Sequence, residues 1–324
     1  MYTIKELQDL INETISSARI GREPYSLYDP INYTLESGGK RIRPVLVLMA
    51  CNLFSSEVEH AIKPALGLEI FHNFTLLHDD IMDHADIRRG NPTVHKKWNE
   101  NAAILSGDAM FIKAYEYFLD CQSPNFREIL KIFNSTALEV CEGQQYDMEF
   151  EERDNVTEQE YIRMIELKTS VLLAAALKIG ALLGGANKKD ADLLYEFGRN
   201  IGLAFQLQDD YLDVYGDTEV FGKQIGGDIV ANKKTFMLIK AQELAKGEDK
   251  KKLKDLLLLE NLERETKISA VTNIYNKLNI REIVKQKIME LNQKSFNILE
   301  QVSVEENKKS ELKKLADKLI NRIN

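Results

Sequence analysis

Two copies of the pattern D-D-x-x-D stand 130 positions apart, Asp79-Asp80-Ile81-Met82-Asp83 and Asp209-Asp210-Tyr211-Leu212-Asp213. Each follows an apolar, helix-like run, with Phe74, Leu76 and Leu77 before the first and Phe205 and Leu207 before the second. On a helix the first and fifth residues of the pattern lie one turn apart and face the same way, with the middle aspartate displaced by one step. Six carboxylates directed into one cleft beside such neighbours repel one another and lose hydration unless cations neutralise them. Hard oxygen donors favour magnesium, which keeps some of its waters and shares its other positions with substrate phosphates. A single copy is also what a solvated helix face or a run of capping aspartates looks like. Two copies in apolar contexts favour a shared metal site.

The basic residues fall into groups that suit the same chemistry. They are Lys40, Arg41 and Arg43, then Arg88 and Arg89, then Lys168, then Lys223, Lys233 and Lys234. Taken singly, each reads as a surface charge, and His72 alone reads as a satisfied core histidine. Together they offer both the rigid fork of arginine and the mobile point charge of lysine, and a site that holds diphosphates uses both.

The elements that position these groups read as helices. All six prolines lie within the first 124 residues, and the 200 that follow are rich in Leu, Lys, Glu and Ala, so long helices are the natural reading. No stretch sustains the period-two alternation of a strand. Residues 1–37 predict two amphipathic helices split near Gly21 to Pro24, followed by a basic turn and an apolar run from Val45 to Leu53. Leu66, Ile70, Phe74, Leu77 and Ile81 form a stripe that ends at the first aspartate cluster. Arg88 to Pro92 reads as a loop. Helical patterns follow over about 102–121, 126–146 and 158–183, with a polar connection at 152–157. Another helix over 189–213 ends at the second cluster, and the Gly-, Asp- and Lys-rich segment 216–234 reads as a functional loop. The charged stretch from Lys246 to Lys267 predicts a solvated helix pair, and the remainder predicts helices that complete a bundle or an oligomer contact.

Composition narrows the function classes. With 43 basic and 51 acidic residues the net charge is −8, which argues against a general nucleic-acid binder but not against an anionic substrate in a locally basic cleft. Cys51, Cys121 and Cys141 are odd in number and lack close metal-ligand spacing, so they read as reduced core thiols of a cytoplasmic protein. The N-terminus is charged early and no signal-peptide core follows it. The longest apolar stretch, Val171 to Ala186, is interrupted by Lys178 and three glycines. It predicts a buried helix closing on its neighbours through small residues rather than a membrane span.

In their order, these motifs resemble the trans-isoprenyl diphosphate synthases, the head-to-tail prenyltransferase family of farnesyl and geranylgeranyl diphosphate synthases. The resemblance rests on Gly38-Gly39-Lys40-Arg41-Ile42-Arg43-Pro44, His72, the first aspartate cluster with Arg88-Arg89-Gly90, and Lys168-Thr169. It continues through Phe205-Gln206-Leu207-Gln208 with the second cluster, and Gly222-Lys223 through Gly226-Gly227-Asp228 to Lys233. Roughly the first 35 and last 80 residues carry no such signature.

The resemblance implies an all-α fold, a single domain over residues 1–324 with core helices around a central cavity, and a homodimer. It implies that Asp79, Asp80, Asp83, Asp209, Asp210 and Asp213 bind about three magnesium ions that bridge the diphosphate of an allylic substrate. Arg88, Lys168, Lys223 and Lys233 would hold that diphosphate, while Lys40, Arg43, His72 and Arg89 would hold isopentenyl diphosphate. Thr169, Gln206 and the Lys168 backbone would face the allylic cation. Arg41 lies inside the basic motif but is given no role, since pointing into the site and pointing to solvent both stay open for it. A terpene cyclase, a head-to-head synthase and a non-catalytic regulatory subunit are the competing readings. The first two lack this set of motifs, and regulatory subunits tend to lose metal aspartates.

Product length follows from the apolar face before Asp79, where Phe74 stands five residues back, Thr75 four, and Phe71 one turn further. In the family it resembles, one aromatic residue there with no insertion in the first cluster looks like the twenty-carbon, geranylgeranyl type, so the resemblance implies a fifteen- to twenty-carbon product leaning to twenty, with the farnesyl alternative open. Replacing Phe74 with alanine should lengthen the products, as read by chromatography of the dephosphorylated chains. An unchanged distribution would count against Phe74 as the floor.

Overall fold

Thr3 opens α1 (Ile4–Ser17) as half of a capping box, its hydroxyl accepting from the Glu6 N–H while the Glu6 carboxylate reaches back to the Thr3 N–H at 2.7 Å. Such reciprocal caps satisfy donors that a helix start leaves unpaired. Thr157 and Glu160 repeat the device at α8 (Glu158–Ile165). The computed structural model describes residues 1–18, 20–21, 23–216, 225–259 and 262–320.

Between these caps run α2 (Tyr25–Glu36), α3 (Ile42–Phe54), α4 (Glu59–Met82), α5 (Val94–Lys97), α6 (Glu100–Leu119) and α7 (Phe126–Glu151). After α8 come α9 (Val171–Leu183), α10 (Lys188–Tyr215), α11 (Gly227–Val230), α12 (Phe236–Leu244) and α13 (Gly247–Leu258). The last are α14 (Arg264–Lys277), α15 (Ile280–Glu300) and α16 (Glu306–Ile320). The all-α expectation holds. One small departure is the segment read as a loop, which forms a two-stranded antiparallel ribbon, β1 (Ile87–Arg88) with β2 (Asn91–Pro92), in the register Arg88 to Asn91.

The chain divides into two compact units, the first Met1–Ile132, Ala176–Asp192 and Ser303–Glu311, the second Phe133–Ala175, Leu193–Val302 and Leu312–Asn324. In the first, α4 packs against α3 and α6, with Phe71 and Phe118 fully buried. The apolar stretch from Val171 behaves as a close-packed segment: a Cβ on Gly180 would stand 2.1 Å from the Val47 carbonyl oxygen, so only glycine admits that approach. In the second unit, α12 packs against α8, α14 and α15, and Phe133, Phe197 and Phe236 are fully buried.

Three expectations need correction. The helix read over 158–183 is interrupted by a π-turn at Glu166–Ser170, where Val171 N–H donates to the Glu166 carbonyl across five residues. Cys51 and Cys121 are buried free thiols, but Cys141 is exposed. The stretch ending at Lys267 does form a helix pair, yet Lys267 itself is only 5% exposed. Among the described residues no helix is long and apolar enough to cross a membrane.

Candidate active site

In the first unit, the turn before α3 carries the basic motif. Gly38 and Gly39 have φ of +79° and +134°, and a Cβ on Gly39 would stand 2.9 Å from the Arg89 guanidinium. Glycine is what lets the turn close on that side chain. Arg41 also sits at positive φ, +49°, which costs an L-residue about 1–2 kcal/mol.

Arg41, whose direction the sequence leaves open, points inward. It is 6% exposed and pairs with Glu69 at 2.8 Å while donating to the Leu35 carbonyl. Glu69, 2% exposed, also accepts from Asn73 Nδ2 at 3.1 Å.

Arg43 and His72 come together as predicted, with Arg43 Nη1 donating to His72 Nε2 at 2.9 Å. Burial, then the charges of Arg43, Arg89 and their neighbours, holds the imidazole pKa well below its ordinary value, so the ring stays neutral and accepts. Burial pushes Arg43 down to about 10 against the supporting charge of Glu69. Arg89 donates to the Gly38 carbonyl and lies 3.5 Å from Asn73 Oδ1. Arg89 and Gly90 form the two-residue turn of the β-ribbon, both at positive φ, the requirement of a tight hairpin. The ribbon thereby aims two successive arginines. Lys40 is exposed on the turn before α3.

Arg88 turns to the first aspartate cluster, donating from Nε to Asp80 Oδ1 at 2.7 Å and lying 3.4 Å from Asp79 Oδ2. Asp83 caps α4, with its N–H on the Asp79 carbonyl. Asp80 is buried, and burial raises its pKa to about 6 despite Arg88, with Asp79 and Asp83 adding to the rise. One turn back, Phe74 stacks on Phe111 of α6 at 5.2 Å, Phe71 lies 5.9 Å from the same ring, and Thr75 donates to the His72 carbonyl.

The second unit holds the remaining predicted groups. Lys168 and Thr169 sit in the π-turn, which packs so closely on α7 that a Cβ on Gly143 would stand 2.2 Å from Lys168 N. Lys168 Nζ pairs with Asp147 at 2.6 Å, and the Thr169 hydroxyl donates to Gln206 Oε1 at 3.1 Å. The Gln206 amide then donates to Asp210 Oδ1 at 3.2 Å, and the Tyr161 hydroxyl donates to Asp210 Oδ2. Burial, then the charge of Asp228, raises the Asp210 pKa well above the carboxylate range. Asp228 is pushed up to about 6, by burial and then by Asp213.

Asp213 differs from its neighbours in the motif. Its carboxylate accepts the Asp228 N–H at 2.9 Å, so it organises the segment that follows as well as carrying charge. A cleft of about 120 Å³ is lined by Asp147, Lys168, Thr169, Gln206, Asp210, Asp228 and Lys233, among others. Asp209 belongs to the same α10 turn. Lys223 lies outside the described residues.

Glu69, Asn73, Asp147 and Tyr161 were missed in the sequence. None belongs to a motif, and their roles arise from contacts across helices. Asp228 lay within a quoted motif but was given no role of its own.

The donor set fits hard divalent cations. Asp80, Asp210 and Asp228 are carboxylates whose pKa is raised by burial and further by neighbouring carboxylates, a cost that a bound cation would relieve. Among the described residues no three His, Cys, Asp or Glu side chains form a ready metal cage.

Comparison with known proteins agrees with this chemistry. The polyprenyl synthetase family model matches residues 24–277, and the chain belongs to that family. It is 44% identical over 242 residues to geranylgeranyl diphosphate synthase of Methanosarcina mazei, covering 74% of this chain and 75% of that one. A solved geranylgeranyl pyrophosphate synthase superposes with a TM-score of 0.95 at 44% identity, covering all of both chains. The enzyme of Corynebacterium glutamicum, solved with isoprenyl diphosphate and magnesium, superposes with a TM-score of 0.85 at 25% identity, covering 98% of each.

Removing Arg41 alone strands the Glu69 charge in the interior. Arg41→Met should destabilise the protein by about 3–5 kcal/mol in chemical denaturation, while the double variant Arg41→Met/Glu69→Met should recover most of that loss. Equal losses in the two would show that the ion pair is not what Arg41 contributes.

Proposed function

We propose that this chain is a head-to-tail prenyltransferase that joins isopentenyl diphosphate to an allylic diphosphate and makes fifteen- to twenty-carbon prenyl diphosphates, chiefly geranylgeranyl diphosphate. The observation that carries this reading is the cleft of the second unit, where Lys168 and Lys233 stand among aspartates of raised pKa. Lysine cations for a diphosphate, with carboxylates for its counter-ions, are what ionisation of an allylic diphosphate requires. The matched family and its geranylgeranyl-forming relatives support the same substrates.

The division of labour follows from charge. Lys40, Arg43, Arg89 and neutral His72 form a face suited to the diphosphate of isopentenyl diphosphate. Asp79, Asp80, Asp83, Asp209 and Asp210, with Asp213, would hold magnesium, the ion with which the Corynebacterium glutamicum relative was solved. Bound magnesium supplies neutralisation of the charge that builds on the departing diphosphate.

Arg88, Lys168, Lys223 and Lys233 hold the allylic diphosphate as its carbon–oxygen bond breaks. The Thr169 hydroxyl fixes the Gln206 amide at 3.1 Å, so the two present ordered oxygen dipoles to the allylic cation. The alkene of isopentenyl diphosphate attacks that cation, a carbon–carbon bond forms, and the proton leaves to the released diphosphate. Exclusion of water protects the cation from quenching.

The decisive experiment incubates the purified protein and magnesium with labelled isopentenyl diphosphate and, separately, dimethylallyl, geranyl or farnesyl diphosphate, with Asp79→Ala as control. Discrete prenyl diphosphates, lost in the control, are expected. No elongation from any primer would favour the cyclase or regulatory-subunit readings.

We also propose that the protein is a homodimer. On α6, Leu105, Ile112 and Leu119 recur every seven residues and are 60%, 61% and 63% exposed, an apolar stripe suited to a second copy. Light scattering should report twice the chain mass of 37.1 kDa, and Ile112→Glu should shift it to the monomer. A monomeric parent protein would overturn the assignment.

A further inference from the structure

We propose that α14, which carries no motif, is a clamp that sets the segment Ile225–Lys233 against the second aspartate cluster, with Lys267 and Arg264 as positioning residues. This rests on the reading above that Lys233 serves the allylic diphosphate.

The segment is held from two sides. From α10, the Asp213 carbonyl accepts the Gly226 N–H at 2.6 Å and its carboxylate accepts the Asp228 N–H at 2.9 Å. From α14, Arg264 Nη2 donates to the Ile225 carbonyl at 2.8 Å and Lys267 Nζ donates to the Val230 carbonyl at 3.2 Å. Between these anchors Ile268 packs where a Cβ on Gly226 would stand, 2.5 Å away, and Gly226 takes φ +80°. The Asp228 carbonyl then accepts the Lys233 N–H at 2.9 Å. Position is thereby passed from α14 through α11 to Lys233, whose side chain lines the cleft with Lys168 and Asp210.

Lys267 is a poor choice if stability were its purpose. It is 5% exposed, and its hydrogen-bond acceptor is a neutral carbonyl rather than a carboxylate. Burying an ammonium group against a carbonyl costs more hydration than a methionine of similar length would. What the amine adds is direction, because it fixes one carbonyl at the end of a four-residue helix that cannot hold its own conformation in isolation. Arg264 does the same at the segment's start. Supporting contacts of this sort typically change the performance of a site about 10- to 100-fold.

The test compares Lys267→Met, Lys267→Arg and Arg264→Met with Lys233→Ala, measuring KM for each substrate, kcat and melting temperature in the full-length enzyme. Lys267→Met is expected to raise KM for the allylic diphosphate about tenfold, leave KM for isopentenyl diphosphate within about twofold, and leave the melting temperature unchanged or higher. Lys267→Arg, which keeps a donor, should restore most of the loss, and Arg264→Met should move the same constant in the same direction. If Lys233→Ala raises the allylic KM while Lys267→Met and Arg264→Met do not, the clamp is overturned. A parallel rise in both KM values with a fall in melting temperature also overturns it, because that marks a merely structural lysine. If Lys233→Ala itself leaves the allylic KM unchanged, the assignment of the segment to the diphosphate fails, and the clamp loses its object.

Discussion

One buried carboxylate sustains the basic face of the first unit. Glu69 accepts from Arg41 at 2.8 Å and from Asn73 at 3.1 Å, and its charge supports Arg43 and Arg89 against the burial that would otherwise disfavour them. Burial, reinforced by the same cations, keeps His72 neutral, which preserves the lone pair that accepts from Arg43. A single anion among several guanidinium groups leaves a surplus of positive charge, and that surplus is what a diphosphate can neutralise. Were each arginine matched by its own carboxylate, the face would be balanced and would have little reason to bind an anion.

The second unit solves the opposite problem. Its surplus is negative, and buried Asp210 and half-buried Asp213 both accept from donors that carry no charge. Tyr161 and the Gln206 amide serve Asp210, and the backbone of Asp228 serves Asp213. Neutral donors hold a carboxylate in place without cancelling its charge, so its attraction for a cation survives. Lys168 shows the contrast. Its ion pair with Asp147 keeps the side chain ordered while leaving a cation beside the cleft.

Much of this was legible in the sequence because it is periodic or local. The helices follow from the apolar stripes and the missing prolines, and the aspartate clusters and basic turns declare themselves by spacing. What could not be read depends on contacts across helices. The π-turn at Glu166–Ser170 has no composition of its own and reflects the close approach of Lys168 to Gly143, 25 positions earlier in the chain. The direction of Arg41 stays open in the sequence because its partner Glu69 lies 28 positions away on another helix. Lys267 was hidden in a run of charged residues whose other members are mostly solvated, and only the carbonyl of Val230 distinguishes it.

The same distinction bears on product length. The position five before Asp79 identifies Phe74, but the structure shows that ring stacked on Phe111 and lying 5.6 Å from Phe71, with Tyr115 5.2 Å from Phe111. Offset and edge contacts between rings each add about 0.5–1.5 kcal/mol beyond burial, so the cluster resists the rotation of any one member. A floor made by a single phenylalanine could swing aside under a growing chain. Here the ring is braced by a neighbouring helix. On the proposal that Phe74 forms the floor, chain length would be set by how α4 packs on α6 as much as by one residue.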